Sequence, residues 1–573
     1  MLEEFNSIER KSFDDYDIRE VLRANADESN PEWKNEWLAW SLRFSEEVNA
    51  WGTHYGPIAT WLDENGNPVE NPPRSEITSD AVLYWISRYQ NVQNPLLQMH
   101  YCGLVWDFYR LLPDQRKPAD LYEKYITSLL EVIRGYYLEQ KVVGRHYLNR
   151  AIELVQSNST RLAEWKTVLH DYVVSEAIES KSIGIWCVEM NNIIEHKNLF
   201  TETEKQTAVD LILQRYAHFS TKNDFYILKD ITDIMFEYYV CHGQREPARN
   251  FLFDFEQKLS SNTSLDAMKK EYYYELLAGK YRQIGYKPDE QRVLAAMHMA
   301  ANESVKYLQK IEIPMEITKE QWDSWMKTMT QGEPEMQIER FLRHFIPNLD
   351  DSKKELEKLV KAHPFRSLVS TKLHLGDMPG SVIRPYDMDK EGNLIFHITQ
   401  NMQISDAFLV QSLRRLIETN VLSQDVLNKQ IQECILIHEY RKPALANITQ
   451  LYFDGNHVAF CHQIVPQIEA MIRTLLQELG LNVLKIQRSG YGYQLKTLDE
   501  LLHESAIDEV FMGNAEDKTM STYLRIILTD QRGRNYRNLI CHGVISPDLL
   551  TENVAGRLMH VFMLLLRVQW VNN

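Results

Sequence analysis

The residues best suited to chemistry lie near the C-terminal end, in Gln531-Arg-Gly-Arg-Asn-Tyr-Arg-Asn-Leu-Ile-Cys-His-Gly543. Arg532, Arg534 and Arg537 fall within six residues and are interleaved with Asn535 and Tyr536. Guanidinium forks recognise phosphate, and an imidazole moves protons near neutral pH. Asn538 and His542 stand four apart, so on a helix they share a face and the amide can orient the imidazole. Arg537 and His542 stand five apart, about 140° around a helix, and do not converge on one atom from a single straight helix. Two arrangements solve this. Gly543 can end the helix at His542 and let the imidazole swing, or a second copy can supply the opposing pair across a two-fold axis. In the last turn, His542 also meets the helix C-terminus, which favours the imidazolium.

Arg537-Asn-Leu-Ile-Cys-His542 resembles the R-x(4–6)-H motif of the HEPN superfamily of helical ribonucleases. With Gly543, the string is similar to the signature of a domain family within that group. That family also occurs in the eukaryotic endoplasmic reticulum membrane-associated RNA degradation protein. His462-Gln-Ile-Val-Pro-Gln-Ile-Glu-Ala-Met-Ile-Arg473 resembles the first helix of the same domain. The resemblance covers about 445–573 and implies a HEPN-like four-helix bundle. It implies metal-independent RNA cleavage, by attack of a ribose 2′-hydroxyl on the adjacent phosphate. In that reading His542 is the general acid or base, Arg537 stabilises the transition state, and Asn538 belongs to the motif. Arg532, Arg534 and Tyr536 are then the candidate RNA-binding residues. The site is expected to be composite, in a homodimer formed through the C-terminal bundle, and the biological role that of a toxin or antiviral defence effector. Some relatives are silenced by nucleotidylation of a tyrosine two residues after the His. Val544 occupies that position here, so that regulation is not expected. The competing expectation is a non-catalytic helical scaffold or sensor with an inactive HEPN-like dimerisation module.

Other chemistries find little support. There is no G-x-x-x-x-G-K-[ST], no G-x-S-x-G and no H-E-x-x-H, since Ile507 stands where His503-Glu504 would need the second His. The six cysteines form no C-x-x-C pair. Three precede a histidine directly, but adjacent helical residues diverge by about 100°, a poor geometry for a shared metal. No metal or cofactor is expected. Glu469 and Arg473, four apart on the first HEPN-like helix, are candidate accessory residues or a solvated salt bridge. His462 reads equally as a core histidine bonded to backbone or as a second catalytic group.

These residues need elements to place them. Ile464, Ile468, Ile472, Leu475 and Leu479 make an apolar helical stripe that stops at Gly480, with a kink expected at Pro466. Thr497 and Glu500 form a capping box for a short helix over 497–511. A third helix is expected over about 517–542. Ser546-Pro547 then starts a final helix to about 571. Its 558–571 stretch is interrupted by Arg567 and Gln569, so it reads as a core helix and not a membrane span.

The chain as a whole has 573 residues, too many for one core. Net charge is −17, which argues against coating nucleic acid by bulk charge. Across 481–573, ten Lys/Arg balance ten Asp/Glu, so a local basic site is compatible with the overall acidity. Scattered cysteines and an acidic N-terminus without an apolar leader suit a cytoplasmic protein. The expected fold is mostly all-α, in four segments. Residues 1–115 form a Trp-rich helical domain, with Trp33, Trp37 and Trp40 on one helix face. Residues 116–350 form a helical-hairpin or solenoid-like array, with helices expected at 140–156, 161–178, 204–220, 227–241, 245–259, 265–284 and 289–310. The N-terminal helices would take a protein partner or trigger. Residues 351–440 form a linker with one small β-hairpin, in which Asn393-Leu-Ile-Phe-His-Ile398 reads as a strand, and 441–573 form the bundle.

Overall fold

The computed structural model describes residues 2–569, apart from 64–65, 136, 139, 308, 310–316, 376–377 and 488–489. The end of the expected last helix, 570–571, lies outside them. The protein is mostly all-α, about 68% helical, with small two-stranded antiparallel sheets. It packs as two compact units, Met1–Met297 and His298–Asn573, a coarser division than the four segments expected.

In the first unit, Asp14 accepts from the backbone of Tyr16 and Asp17 and starts the helix Asp15–Ala24. Asn30-Pro31 and Asn94-Pro95 open the helices Pro31–Trp40 and Pro95–Phe108, a capping acceptor followed by a proline whose missing N–H is not needed there. The tryptophan stripe is core. Trp33 and Trp40 are buried, and Trp40 stacks on His100 with ring centroids 3.9 Å apart. Beyond them, Glu202–Lys222, Phe225–Cys241, Arg245–Ser261 and Ala267–Ile284 pack each on the next. The chain reverses at Asn223, Gly243 and Gly285, all at positive φ. These helices match the expected spans to within a few residues. Strands were not expected here, yet Leu42–Phe44 pairs with Tyr55–Pro57 and Ala59–Leu62 with Pro68–Asn71. Segments of three or four residues are too short to carry a period of two.

The second unit holds the hairpin Thr371–Leu375/Met378–Ile383. The strand expected over Asn393–Ile398 is instead the start of a long helix, Lys390–Glu418. Asp389 caps it by accepting from Gly392 N at 2.9 Å. Ile395, Ile398, Met402, Leu409, Leu413 and Leu416, at spacings of three, four and seven, are all buried. Tertiary burial of that stripe overrides the local β preference of Leu-Ile-Phe-His-Ile.

The helix His457–Glu478 runs unbroken through Pro466 and packs on Glu552–Leu566, which in turn packs on Lys390–Glu418. The core around the motif therefore includes a helix from outside the expected 441–573 bundle. The Thr497/Glu500 capping box forms as expected, on the shorter helix Leu498–Leu502. A further hairpin, Leu484–Ile486/Tyr493–Leu495, precedes it. Ser546-Pro547 starts only the 3-10 turn Pro547–Leu549, and the last helix follows Thr551. From Val554 to Leu566 every residue is buried. No helix among the described residues is long and apolar enough to cross a membrane.

Candidate functional site

The expected helix over 517–542 is two helices, Thr519–Leu528 and Tyr536–Cys541, joined by a tight loop. Asp530 organises the loop. Its backbone N donates to the Arg525 carbonyl at 2.8 Å, and its carboxylate accepts from Arg532 N at 2.9 Å. Arg534 N then turns back to the Ile526 carbonyl at 2.7 Å. Gly533 is required by close approach, since a Cβ there would stand 2.6 Å from the Ile526 carbonyl oxygen. Asn535 adopts φ +53°, and Tyr536 restarts the helix.

That break decides what the arginines do. Arg532 grips Asp530 with two bonds, Nε at 3.0 Å and Nη2 at 2.8 Å, and lies 3.7 Å from Asp389 and 3.6 Å from Glu391. Burial raises the Asp530 carboxyl, but the bonds from Arg532 outweigh it and leave it below the ordinary carboxylate range. Arg534 donates to Asp406 at 2.7 Å. Tyr536 is 7% exposed, with its ring in the core. The three candidate RNA-binding residues are therefore turned to internal partners. Asp406 lies 128 residues from Arg534, so no local spacing could have announced the pair.

Arg537 points elsewhere. The Tyr536–Cys541 helix packs against His457–Glu478, and Arg537 Nε meets Glu469 Oε2 at 2.9 Å. The other Glu469 oxygen accepts from Arg473 at 3.0 Å, and Arg473 also donates to the Lys496 carbonyl at 3.2 Å. One carboxylate thus bridges two guanidiniums, joining Arg537 to the Glu469–Arg473 pair expected from their four-residue spacing. The three side chains are 14–25% exposed, so the bridge stands at the protein surface with one formal positive charge in excess. Arg537 Nη1 donates to Asn538 Oδ1 at 3.1 Å, and its Nη2 donates to no described residue.

Asn538 does not orient His542. Its amide donates to the Thr529 carbonyl at 3.2 Å and to Asn535 Oδ1 at 2.7 Å, so it ties the short helix to the loop before it. The motif asparagine thus sets Arg537 and the loop. His542 caps the helix with its backbone N on the Asn538 carbonyl at 3.0 Å, and Gly543 at φ +67° ends the helix there. The imidazole is exposed and makes no hydrogen bond to another described residue. Cys541, next to it, lies within electrostatic reach of Arg537 and Glu469. His462 is exposed and not a core histidine; it sits on the same stripe as Glu469 and Arg473, about 10 Å along the axis from Glu469. Among the described residues, no three His, Cys, Asp or Glu side chains converge as a cation site.

Arg537 and Arg473 can therefore bind a phosphate oxygen beside their shared carboxylate, and a free imidazole stands at the end of the same short helix. Comparison of the chain with protein-family models, with curated proteins and with solved structures found no match.

Proposed function

We propose that the C-terminal region is a HEPN-type, metal-independent RNA endonuclease. The observation that supports it is the pairing of Arg537, on a carboxylate shared with Arg473, with the unengaged imidazole of His542 on one short helix. Arg537 Nη2 takes a non-bridging phosphate oxygen. His542 either removes the proton from the 2′-hydroxyl or protonates the departing 5′-oxygen. Attack of the 2′-oxygen on phosphorus breaks the P–O5′ bond and leaves a 2′,3′-cyclic phosphate and a 5′-hydroxyl. DNA, lacking the 2′-hydroxyl, is not cut. A homodimer would place a second His542 for the complementary proton transfer. The helical N-terminal region regulates the enzyme, whose role is that of a toxin or antiviral defence effector in the cytoplasm.

A second reading rests on a specific observation. Arg532, Arg534 and Arg537 each hold a carboxylate, as they would in an inactive packing module. One experiment separates the two. Total RNA is incubated in EDTA with the full chain and with His542→Ala and Arg537→Ala. The nuclease reading expects cleavage that each substitution reduces roughly 10²-fold or more, with His542→Ala melting like the wild type. No cleavage, or cleavage undiminished in His542→Ala, overturns it.

A further inference from the structure

In the Met1–Met297 unit, independently of the ribonuclease reading, the N-terminal helix, the end of Pro31–Trp40, the first strand pair and the helix Gly144–Val155 enclose a cleft of about 960 Å³. That is the size of a small-molecule site. One wall is aromatic. Phe44 lies 5.5 Å from Tyr55 and 5.4 Å from Tyr147, and Trp40 lies flat on His100. Burial lowers His100 to about 4, so this wall carries no charge at neutral pH. Ring faces of this kind attract cations.

The polar groups of the cleft are mostly engaged. Glu46 accepts from both His146 and Asn149. Arg19 donates to the Trp40 carbonyl at 3.0 Å and not to Asp15, four residues before it. Asp14 is used as the helix cap. Asp15 is half-buried and, like the exposed Glu47 and Arg43, stands outside these bonds. Its carboxylate accepts no hydrogen bond from another described residue, and burial raises it above its ordinary value despite the nearby Arg19 and Arg43. A half-buried carboxylate beside an aromatic wall gains from a donor that a ligand brings. Four carboxylates line the cleft (Asp14, Asp15, Glu46 and Glu47) against two arginines, Arg19 and Arg43.

We infer that this cleft binds a small organic cation, its ammonium or guanidinium donating to Asp15 and its alkyl chain lying along the Trp40–Phe44–Tyr147 wall. An anion would meet an excess of carboxylates, and a neutral alkyl compound would leave Asp15 without compensation.

Calorimetric titration of the full chain tests this, with agmatine and spermidine as probes, 1,6-hexanediol as a neutral control and ATP as an anionic one. Binding of at least one cation is expected, with hexanediol and ATP silent. Asp15→Asn keeps the shape but removes the charge. It should weaken the cation at least ten-fold, while the ligand-free variant melts no lower than wild type. Arg43→Glu alters an exposed residue at the rim and should tighten binding; it decides the matter even if Asp15→Asn fails to fold. No cation binding to the wild type, preference for ATP, equal affinity in Asp15→Asn, or weaker binding in Arg43→Glu would each overturn the inference.

Discussion

Asp406→Ala should be among the most damaging single changes in the second unit. Arg557 is 1% exposed, in the middle of the helix Glu552–Leu566, and its guanidinium meets Asp406 through Nε at 2.9 Å and Nη2 at 2.6 Å. The second Asp406 oxygen holds Arg534 at 2.7 Å. The remaining Arg557 bonds, to the Phe345 carbonyl at 3.1 Å, Tyr523 at 3.3 Å and Ser405 at 3.2 Å, go to neutral groups. Removing Asp406 therefore strands a buried cation with no counter-charge, which costs about 3–5 kcal/mol. For a unit of this size that lowers Tm by roughly 6–20 °C. Urea and thermal melts of the full chain, followed by circular dichroism, should show the second unit's transition moving while the first unit's stays. Replacing the pair together, Asp406→Leu with Arg557→Met, should recover most of the loss, because Arg534 is 17% exposed and can turn to water. RNA cleavage by Asp406→Ala should also fall, since Arg534 ties down the loop that leads into the Arg537 helix. A loss under about 1 kcal/mol for Asp406→Ala would show that Arg557 is not a buried charge, and the argument would fail.

Two buried histidines make the fold acid-labile. Burial lowers His560 to about 3, with Arg557 adding to the effect, and burial lowers His100 to about 4. In the unfolded chain both protonate near pH 6.5. Stability is therefore full above pH 6.5 and falls on acidification by up to about 1.4 kcal/mol per pH unit for each, until the folded values are passed. Urea midpoints at pH 7, 6 and 5 should drop in both units, and a flat profile would contradict this. Gly543→Ala places a side chain at φ +67° and should cost about 1–2 kcal/mol by melting while disturbing His542, so an unchanged Tm argues against the helix stop seen here. Glu469→Gln removes the carboxylate from both arginines; if the bridge only positions them, RNA affinity should hold or rise while turnover falls, and a fall in both would point to a structural role.

Where one helix buries one continuous stripe, the residue order was enough to place it. The array helices between Glu202 and Ile284, the Thr497 cap and the helix carrying Ile464, Ile468 and Ile472 are all legible this way, because a cap and a 3.6-residue period are local properties. The stop at Gly543 was legible for the same reason. Other features depended on partners far along the chain. Asn393–Ile398 looks like a strand until its apolar face meets the core, and the 517–542 segment looks like one helix until Asp530 and the Ile526 carbonyl turn the chain back. Asp406, Asp389, Glu391 and Glu469 claim the arginines from up to 143 positions away, and charge pairing at that separation leaves no periodicity to read. Which guanidinium keeps a nitrogen without a described partner, and which becomes a strut, was decided only when the helices packed.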